Sequence, residues 1–255
     1  MREIDKELNK LLKGKPRKVL DKLRKDSEIN GFLEQANDLA ILRLGYNDHG
    51  IMHSKIVACN ALKIFEILQA KGFQPNIVKE GNGNLNDARI IILTGAYLHD
   101  IGCAISRENH ELFGVILAVP IIKRILGKFY KPFELARITS LISEAIACHM
   151  GECQATSLEA KIVEVADGTD ITKGRARIPF HIGIADIHKF SALAIEKVTI
   201  KEGKKKPLKI EILMDNPAGV FQAEETLLKK IRDAKFEEFV EVIAKIKGEK
   251  EVKYL

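Results

Sequence analysis

The residue types best suited to metal chemistry are spread over the first two thirds of the chain. Most of its seven histidines lie there, and aspartates stand close to several of them. In chain order the residues are His49, His53, His99, Asp100, His110, His149, Asp167 and Asp170. Imidazole and carboxylate groups together suit borderline divalent metals, and ligands from separate helices can converge on one ion. The pattern therefore favours a metal site built from several helices.

The pair His99-Asp100 stands in the most informative surroundings. It follows the apolar segment ARIIILTGAYL (88–98) and is itself followed by Ile101-Gly102. A helix of this composition should be buried, and glycine is a frequent residue just after a helix end. A buried aspartate without a cation or hydrogen-bond donors would be costly. We therefore predict that this helix ends by delivering two ligands to the interior.

Helical periodicity dominates the chain up to about residue 191. In 51–68, apolar residues recur mostly at steps of three and four, which indicates one buried helix face. Further helices are predicted over 2–12, 16–26, 31–44, 87–99, 108–127, 133–148, 157–170 and 182–191. The run GNGNLN (81–86) reads as a loop, with Asn86 capping the helix that follows. Residues 49 and 53 share one helix face, as do 167 and 170.

The pattern changes after residue 191. The segment 195–212 alternates apolar and polar residues on both sides of a lysine-rich turn that contains glycine, which predicts a β-hairpin. NPAG (216–219) then breaks the chain, and two amphipathic helices are predicted over 219–232 and 235–247. We predict a mainly α protein with two parts. Residues 1–191 form a helical metal-binding domain, and 192–255 form a small α+β appendage of a hairpin and two helices.

Composition restricts the class of protein. The 255 residues are 46% hydrophobic and 30% charged, which is typical of a chain with a packed core. No apolar run approaches the roughly 18 residues of a membrane helix, so no membrane partner is expected. The first 15 residues lack a signal-peptide pattern, so we expect a cytoplasmic protein. The four cysteines are too few for a disulfide framework and are interpreted as reduced, mostly buried thiols.

The net charge of +6 is concentrated near the N-terminus and in the lysine-rich run 201–209. A basic run can contact nucleic acid, but neither run contains an aromatic residue on which a base could stack. We interpret both as solvated surfaces, and we expect no nucleic-acid partner.

Five segments resemble the HD superfamily of metal-dependent phosphohydrolases. They are NDHGIMHSKIV (47–57), YLHDIG (97–102), NHELFGVILA (109–118), IACHM (146–150) and EVADGTD (164–170). The resemblance implies an all-helical bundle and the metal ligands His53, His99, Asp100 and Asp167. His110 and His149 match further histidines of the two-metal members. Two-metal cyclic-dinucleotide hydrolases of the family carry paired histidines followed by glutamate, whereas this chain reads His149-Met150-Gly151. We therefore expect one tightly held ion, with a second as the alternative.

The chemistry implied is hydrolysis of a small phosphate ester, such as a nucleotide. A divalent ion (Mn, Co, Ni, Fe, Mg or Zn) would lower the pKa of a bound water. Catalytic roles fall to His110, His149 and Asp170, and the basic loop of Lys173, Arg175 and Arg177 would bind the substrate phosphate. For that loop, a solvated turn is the alternative. Asp48 and His49 are left open, while His181 and His188 are expected at the surface.

A different class of function remains open as well. The protein would then be a regulator that binds metal or nucleotide without turnover, and its C-terminal segment would be the partner surface. A homodimer is compatible with either reading.

Overall fold

The computed structural model of the protein describes residues 3–175, 187–248 and 251–255, without the side chains of 187–189. Arg177, His181 and the side chain of His188 therefore lie outside the described residues, as does the first part of the helix predicted over 182–191.

Helices make up most of the described chain before the sheet, as the apolar periodicity predicts. They are α1 (Glu3–Leu11), α2 (Gly14–Lys25), α3 (Ser27–Asn37), α4 (Ile51–Ala70), α5 (Asn76–Lys79), α6 (Leu85–Leu98), α7 (His110–Leu126), α8 (Pro132–Ala147), α9 (Leu158–Gly168) and α10 (Ile187–Leu193). The mainly α fold class is confirmed. The short helix α5 was not predicted, and the helix predicted over 31–44 is instead α3 continued by π-helical turns at Asp38–Arg43.

Capping side chains explain where two helices begin. The Asp26 carboxylate accepts a hydrogen bond from the Ile29 backbone N–H at 3.2 Å, which starts α3 earlier than predicted. At α6 the predicted cap, Asn86, is wrong. The Asn84 side chain accepts from the Asn86 N–H, and Asp87 accepts from the Asn84 N–H, both at 2.9 Å. Asn84 is the cap because an acidic residue three positions later completes a capping box.

Helix α6 lies at the centre of the bundle. It packs against α2, α4, α8 and α9, and its residues from Ile90 to Leu98 are all buried. A Cβ atom at Gly95 would lie only 2.9 Å from the Cβ of Ala145, so glycine allows α6 and α8 to approach closely. The end of α6 is therefore held firmly inside the protein.

The C-terminal part contains a four-stranded sheet with strand order β1-β2-β3-β4. Strands β1 (Ile195–Glu202) and β2 (Leu208–Met214) pair antiparallel, which confirms the predicted hairpin. Strand β3 (Val240–Ile246) pairs parallel with β2, and β4 (Val252–Lys253) pairs antiparallel with β3. A parallel connection needs a crossover, here residues 215–239.

The crossover carries a helical segment, 219–233, that confirms the first of the two predicted C-terminal helices. It consists of α11 (Gly219–Gln222), π-helical turns (Ala223–Leu228) and α12 (Lys229–Asp233), and we call it the C-terminal helical segment.

The second predicted C-terminal helix, over 235–247, is wrong. Its apolar residues fit helical steps, yet Val240, Val242, Ala244 and Ile246 also alternate, and all four are buried in β3. Periodicity cannot separate a short apolar strand from a helix, and pairing with β2 decides the outcome here.

The sheet and the bundle share one buried apolar cluster, to which Val163, Ile210 and Leu227 all contribute. Helix α4 packs against β1 and β2, and α9 packs against the C-terminal helical segment. The predicted domain boundary between 191 and 192 stays a prediction. Among the described residues, none of the helices combines the length and apolar character needed to cross a membrane.

Replacing Val242 by alanine tests the corrected assignment. Val242 is fully buried in β3, so removing two methyl groups should lower the free energy of unfolding by about 2 kcal/mol. A helix with its apolar face at Phe236, Phe239, Val240 and Ile243 would place Val242 off that face. Denaturant unfolding measures the change, with Lys245→Ala on the same strand as a control whose side chain is 42% exposed. A loss no larger than that of the control would contradict the strand.

Candidate metal centre

Six of the predicted site residues converge in the interior of the bundle. All six side chains are buried, and we call them the ligand cluster: His53, His99, Asp100, His110, His149 and Asp167. They come from the first turn of α4, the residues just after α6, the start of α7, the residues just after α8, and the end of α9. Three helix ends and two helix starts thus meet at one place.

The cluster contains two sets of ligand atoms, and the first includes Oδ2 of Asp100. That oxygen lies 3.3 Å from Nε2 of His53 and 3.3 Å from Nε2 of His99. Oδ1 of Asp167 lies 3.1 Å from Nε2 of His53 and 3.6 Å from Nε2 of His99. These are the four metal ligands that the family resemblance implies.

The second set surrounds the other oxygen of Asp100. Its Oδ1 atom lies 3.3 Å from Nε2 of His110 and 3.5 Å from Nε2 of His149. The two imidazole nitrogens are 3.1 Å apart. The carboxylate of Asp100 therefore stands between the sets and offers one oxygen to each.

The four imidazole rings are held in the same way. Each uses Nδ1 outside the cluster, and for three rings the partner is the backbone carbonyl three residues earlier. The Nδ1 distances are 2.8 Å from His99 to Ala96, 2.9 Å from His110 to Arg107 and 2.6 Å from His149 to Ile146. A carbonyl oxygen can only accept, so at His99 and His149 Nδ1 carries a proton and Nε2 is the atom left for a cation. At His110 the Arg107 guanidinium also lies 2.8 Å from Nδ1. Metal-binding histidines are commonly held in this way.

Asp170 holds the fourth ring. Its Oδ2 atom lies 2.7 Å from Nδ1 of His53, and both side chains are buried. The sequence predicts a catalytic role for Asp170, and the structure places this residue behind His53 at the edge of the adjoining cavity. This contact is the carboxylate–histidine arrangement that orients a metal ligand.

Two glycines allow the second set to form. A Cβ atom at Gly102 would collide with the backbone carbonyl of His110 and the backbone of Gly114. A Cβ atom at Gly114 would lie 3.0 Å from a methyl group of Ile146 and 3.4 Å from the carbonyl of His99. Helix α7 can therefore begin directly against the turn that carries Asp100.

The electrostatics of the cluster fit a cation. Burial acts to raise the pKa of Asp100 and Asp167, but the surrounding histidines at the first, and Lys230 with His53 and His99 at the second, together hold the pKa of each carboxyl well below its usual range. Both carboxylates therefore remain ionised. Within the described part of the chain, Oδ2 of Asp100 and Oδ1 of Asp167 are buried without a hydrogen-bond partner. Burial and neighbouring cationic groups lower the pKa of His149 to about 3, which keeps its imidazole neutral.

His53 and His99 carry part of the balancing positive charge. Burial lowers the pKa of both rings, but Asp100 and Asp167 raise it, at His99 to about 9 and at His53 well above the usual range. A divalent cation would replace such protons, because metal ligands bind in their deprotonated forms. The residues present therefore fit a divalent metal.

Arg175 is the described part of the basic loop that reaches the cluster. Its guanidinium donates to the backbone carbonyls of Asp48 and Asp170, and Nη2 lies 3.2 Å from Nε2 of His53. The charge of Lys173 instead acts on Asp215. Arg177, the third predicted phosphate ligand, lies outside the described residues.

A cavity of about 450 Å³ opens beside the cluster. His49 lines it with Nδ1 2.6 Å from the carbonyl of Asn47, and Arg107 and Arg175 line it as well. Sequence reasoning missed Arg107, although the residue lies three positions before His110.

Lys230 was missed for a different reason. Its ammonium group lies 2.8 Å from Oδ2 of Asp167, yet the residue belongs to the segment to which we assigned no part of the site. The one available signal was a lysine within the apolar face of Leu227, Leu228 and Ile231.

Comparisons with known proteins agree with the geometry. The family described as HD domain matches residues 50–172, which span the first and last ligands of the cluster. A relative from Methanocaldococcus jannaschii, "Uncharacterized protein MJ1020", is 44% identical over 251 residues, covering 98% of this chain and 97% of the relative. No solved structure gives a significant match. The chain belongs to the HD superfamily of metal-dependent phosphohydrolase domains.

Proposed function

We propose that this protein is an enzyme that hydrolyses the phosphate ester of a small nucleotide at a centre of two divalent ions. One observation carries the proposal: Nε2 atoms of four histidines and oxygens of two aspartates face one buried volume. His53, His99, Asp100 and Asp167 would hold the first ion, and Asp100, His110 and His149 the second. The position of Asp100 between the sets favours the two-ion alternative over a single tightly held ion.

Bound divalent ions would lower the pKa of a bound water, so that hydroxide would be available as a nucleophile near neutral pH. The chain contributes the orientation of the ligands. Asp170 and the backbone carbonyls fix the four rings, so little reorganisation would be needed on binding. His110 and His149 direct Nε2 at Asp100, which supports a ligand role for them rather than proton donation to a leaving group.

Two arginines support a phosphate ester as substrate. Arg175 lies against His53 of the first set, and Nη1 of Arg107 lies 2.8 Å from Nδ1 and 3.3 Å from Nε2 of His110 in the second. Both line the same cavity, so a phosphate group there would meet a guanidinium beside each set. Guanidinium groups match phosphate oxygens in charge and geometry.

The rest of the cavity supports a nucleotide. Tyr46, Ile171 and Ala192 give it an apolar wall, and Gln222 and Thr226 add polar groups. Its volume of about 450 Å³ is in the range of small-molecule sites. A nucleotide with its phosphate beside the two metal ions would place its base against this partly apolar, partly polar wall. The proposal keeps the expected cytoplasmic location.

The rival proposal is a regulator that binds metal or nucleotide without turnover. The complete ligand set speaks against it, because a site without a catalytic role has no need to retain every ligand. A screen of nucleotides with Mn, Co, Ni, Mg, Fe and Zn, with and without chelator, separates the two. Binding without hydrolysis under every metal would favour the regulator.

Metal analysis of the purified protein should give about two divalent ions per chain. His149→Ala should lower the count to about one, because it removes a ligand of the second set only. Asp100→Asn should remove both ions and all turnover, since its carboxylate serves both sets. Asp38→Asn, which changes an exposed aspartate, is the matched control. A single ion in wild type, unchanged by His149→Ala, would contradict the two-ion centre, and full activity in Asp100→Asn would overturn the proposed function.

Arg175→Met tests phosphate recognition. Losing a charge-assisted contact should weaken inhibition by inorganic phosphate by about 10-fold or more, while the metal count stays that of wild type. Arg107→Met should act in the same direction. Exposed Lys197→Met is the control for loss of a surface charge. Unchanged phosphate inhibition in both arginine variants would show that neither guanidinium binds the substrate phosphate.

A further inference from the structure

We infer that Lys230 is a positioning residue of the metal centre: it holds Asp167 so that one carboxylate oxygen faces the ligand histidines. This inference rests on the proposed metal binding. It also makes the C-terminal helical segment part of the centre, although all the proposed ligands precede residue 191.

Lys230 contacts one oxygen of the Asp167 carboxylate and leaves the other oxygen next to His53. The ammonium group lies 2.8 Å from Oδ2 of Asp167, while Oδ1 lies 3.1 Å from Nε2 of His53. The same ammonium donates to the backbone carbonyl of His149 at 2.5 Å. The ammonium group of Lys230 therefore fixes both the rotation of the Asp167 carboxylate in the first set and the backbone at His149 in the second set.

Packing around Lys230 places its ammonium group beside Asp167. Lys230 is only 9% exposed, and a buried lysine is costly unless its charge is paired. A Cβ atom at Gly168 would lie 3.2 Å from Cδ of Lys230 and 3.3 Å from Cα of Leu227. Because glycine has no side chain, the aliphatic part of Lys230 and the backbone at Leu227 can pack directly against α9.

A second acidic side chain lies near Lys230 but does not replace Asp167 as its partner. Glu164 is buried one turn earlier on α9, and neither of its carboxylate oxygens has a hydrogen-bond partner among the described residues. Burial raises its pKa to about 8, although the charge of Lys230 acts in the opposite direction. Near neutral pH Glu164 is mostly uncharged, which leaves the lysine charge to Asp167.

The geometry favours positioning over direct substrate binding. Two acceptors from the protein already engage the ammonium, and it contacts Oδ2 of Asp167, whereas Oδ1 is the oxygen next to His53. The C-terminal helical segment reaches the cavity through Gln222 and Thr226 instead. Outer partners of metal ligands commonly act in this way, and their removal costs about 10–100-fold in metal affinity or activity.

The test is a calorimetric titration of the metal-stripped full-length protein with Mn²⁺. Lys230→Met should weaken Mn²⁺ binding by about 10–100-fold, and Lys230→Arg should recover part of the loss. Lys229→Met is the matched control, because that neighbouring lysine is exposed and pairs with Asp233 at the surface. Thermal unfolding without metal shows which variants fold. Lys230→Gln, which keeps a donor but no charge, gives the same comparison where the methionine variant does not fold.

The outcomes separate this inference from the proposed function. Wild-type Mn²⁺ affinity in folded Lys230→Met or Lys230→Gln would overturn the positioning role, whatever happens to turnover. A rise in KM alone, with Mn²⁺ affinity unchanged, would make Lys230 a substrate contact and also overturn it. A wild-type protein that binds no Mn²⁺ or other divalent ion would instead refute the proposed function itself.

Discussion

Two carboxylates buried inside a helical bundle are the constraint to which the rest of the site responds. Asp100 and Asp167 stay ionised where water cannot solvate them, and an uncompensated buried charge is strongly destabilising. Histidines, Arg175 and Lys230 surround them with positive charge or with donors. The same surroundings that make two anions tolerable make a site in which a divalent cation is favourable.

The bundle supplies rigidity through close backbone approach rather than through large side chains. Gly95 brings α6 against α8, Gly102 brings the turn after α6 against the start of α7, and Gly168 admits the lysine stem beside α9. Side chains on closely packed helix ends need little rearrangement to take up a ligand geometry. Each glycine therefore acts on the cluster through packing alone.

The sheet contributes by fixing the C-terminal helical segment. Its two ends continue into the parallel pair β2 and β3, and its apolar face, including Leu227 and Ile231, belongs to the common core. A crossover between parallel strands leaves the helix lying against one face of the sheet, here towards α9. That position brings Lys230 to Asp167 from a distant part of the sequence.

The sequence by itself determined most of the helices and the hairpin, because periodicity is a local property, and the family resemblance of its segments selected the six cluster residues from a longer list of histidines and aspartates. It left β3 ambiguous, since the same apolar residues fit both a helix and a strand until β2 pairs with them. It was silent on Asp100 as a shared carboxylate, on Arg107 beside the cavity and on Lys230 behind Asp167. Those roles depend on distances between elements far apart in the chain, and only tertiary packing sets such distances.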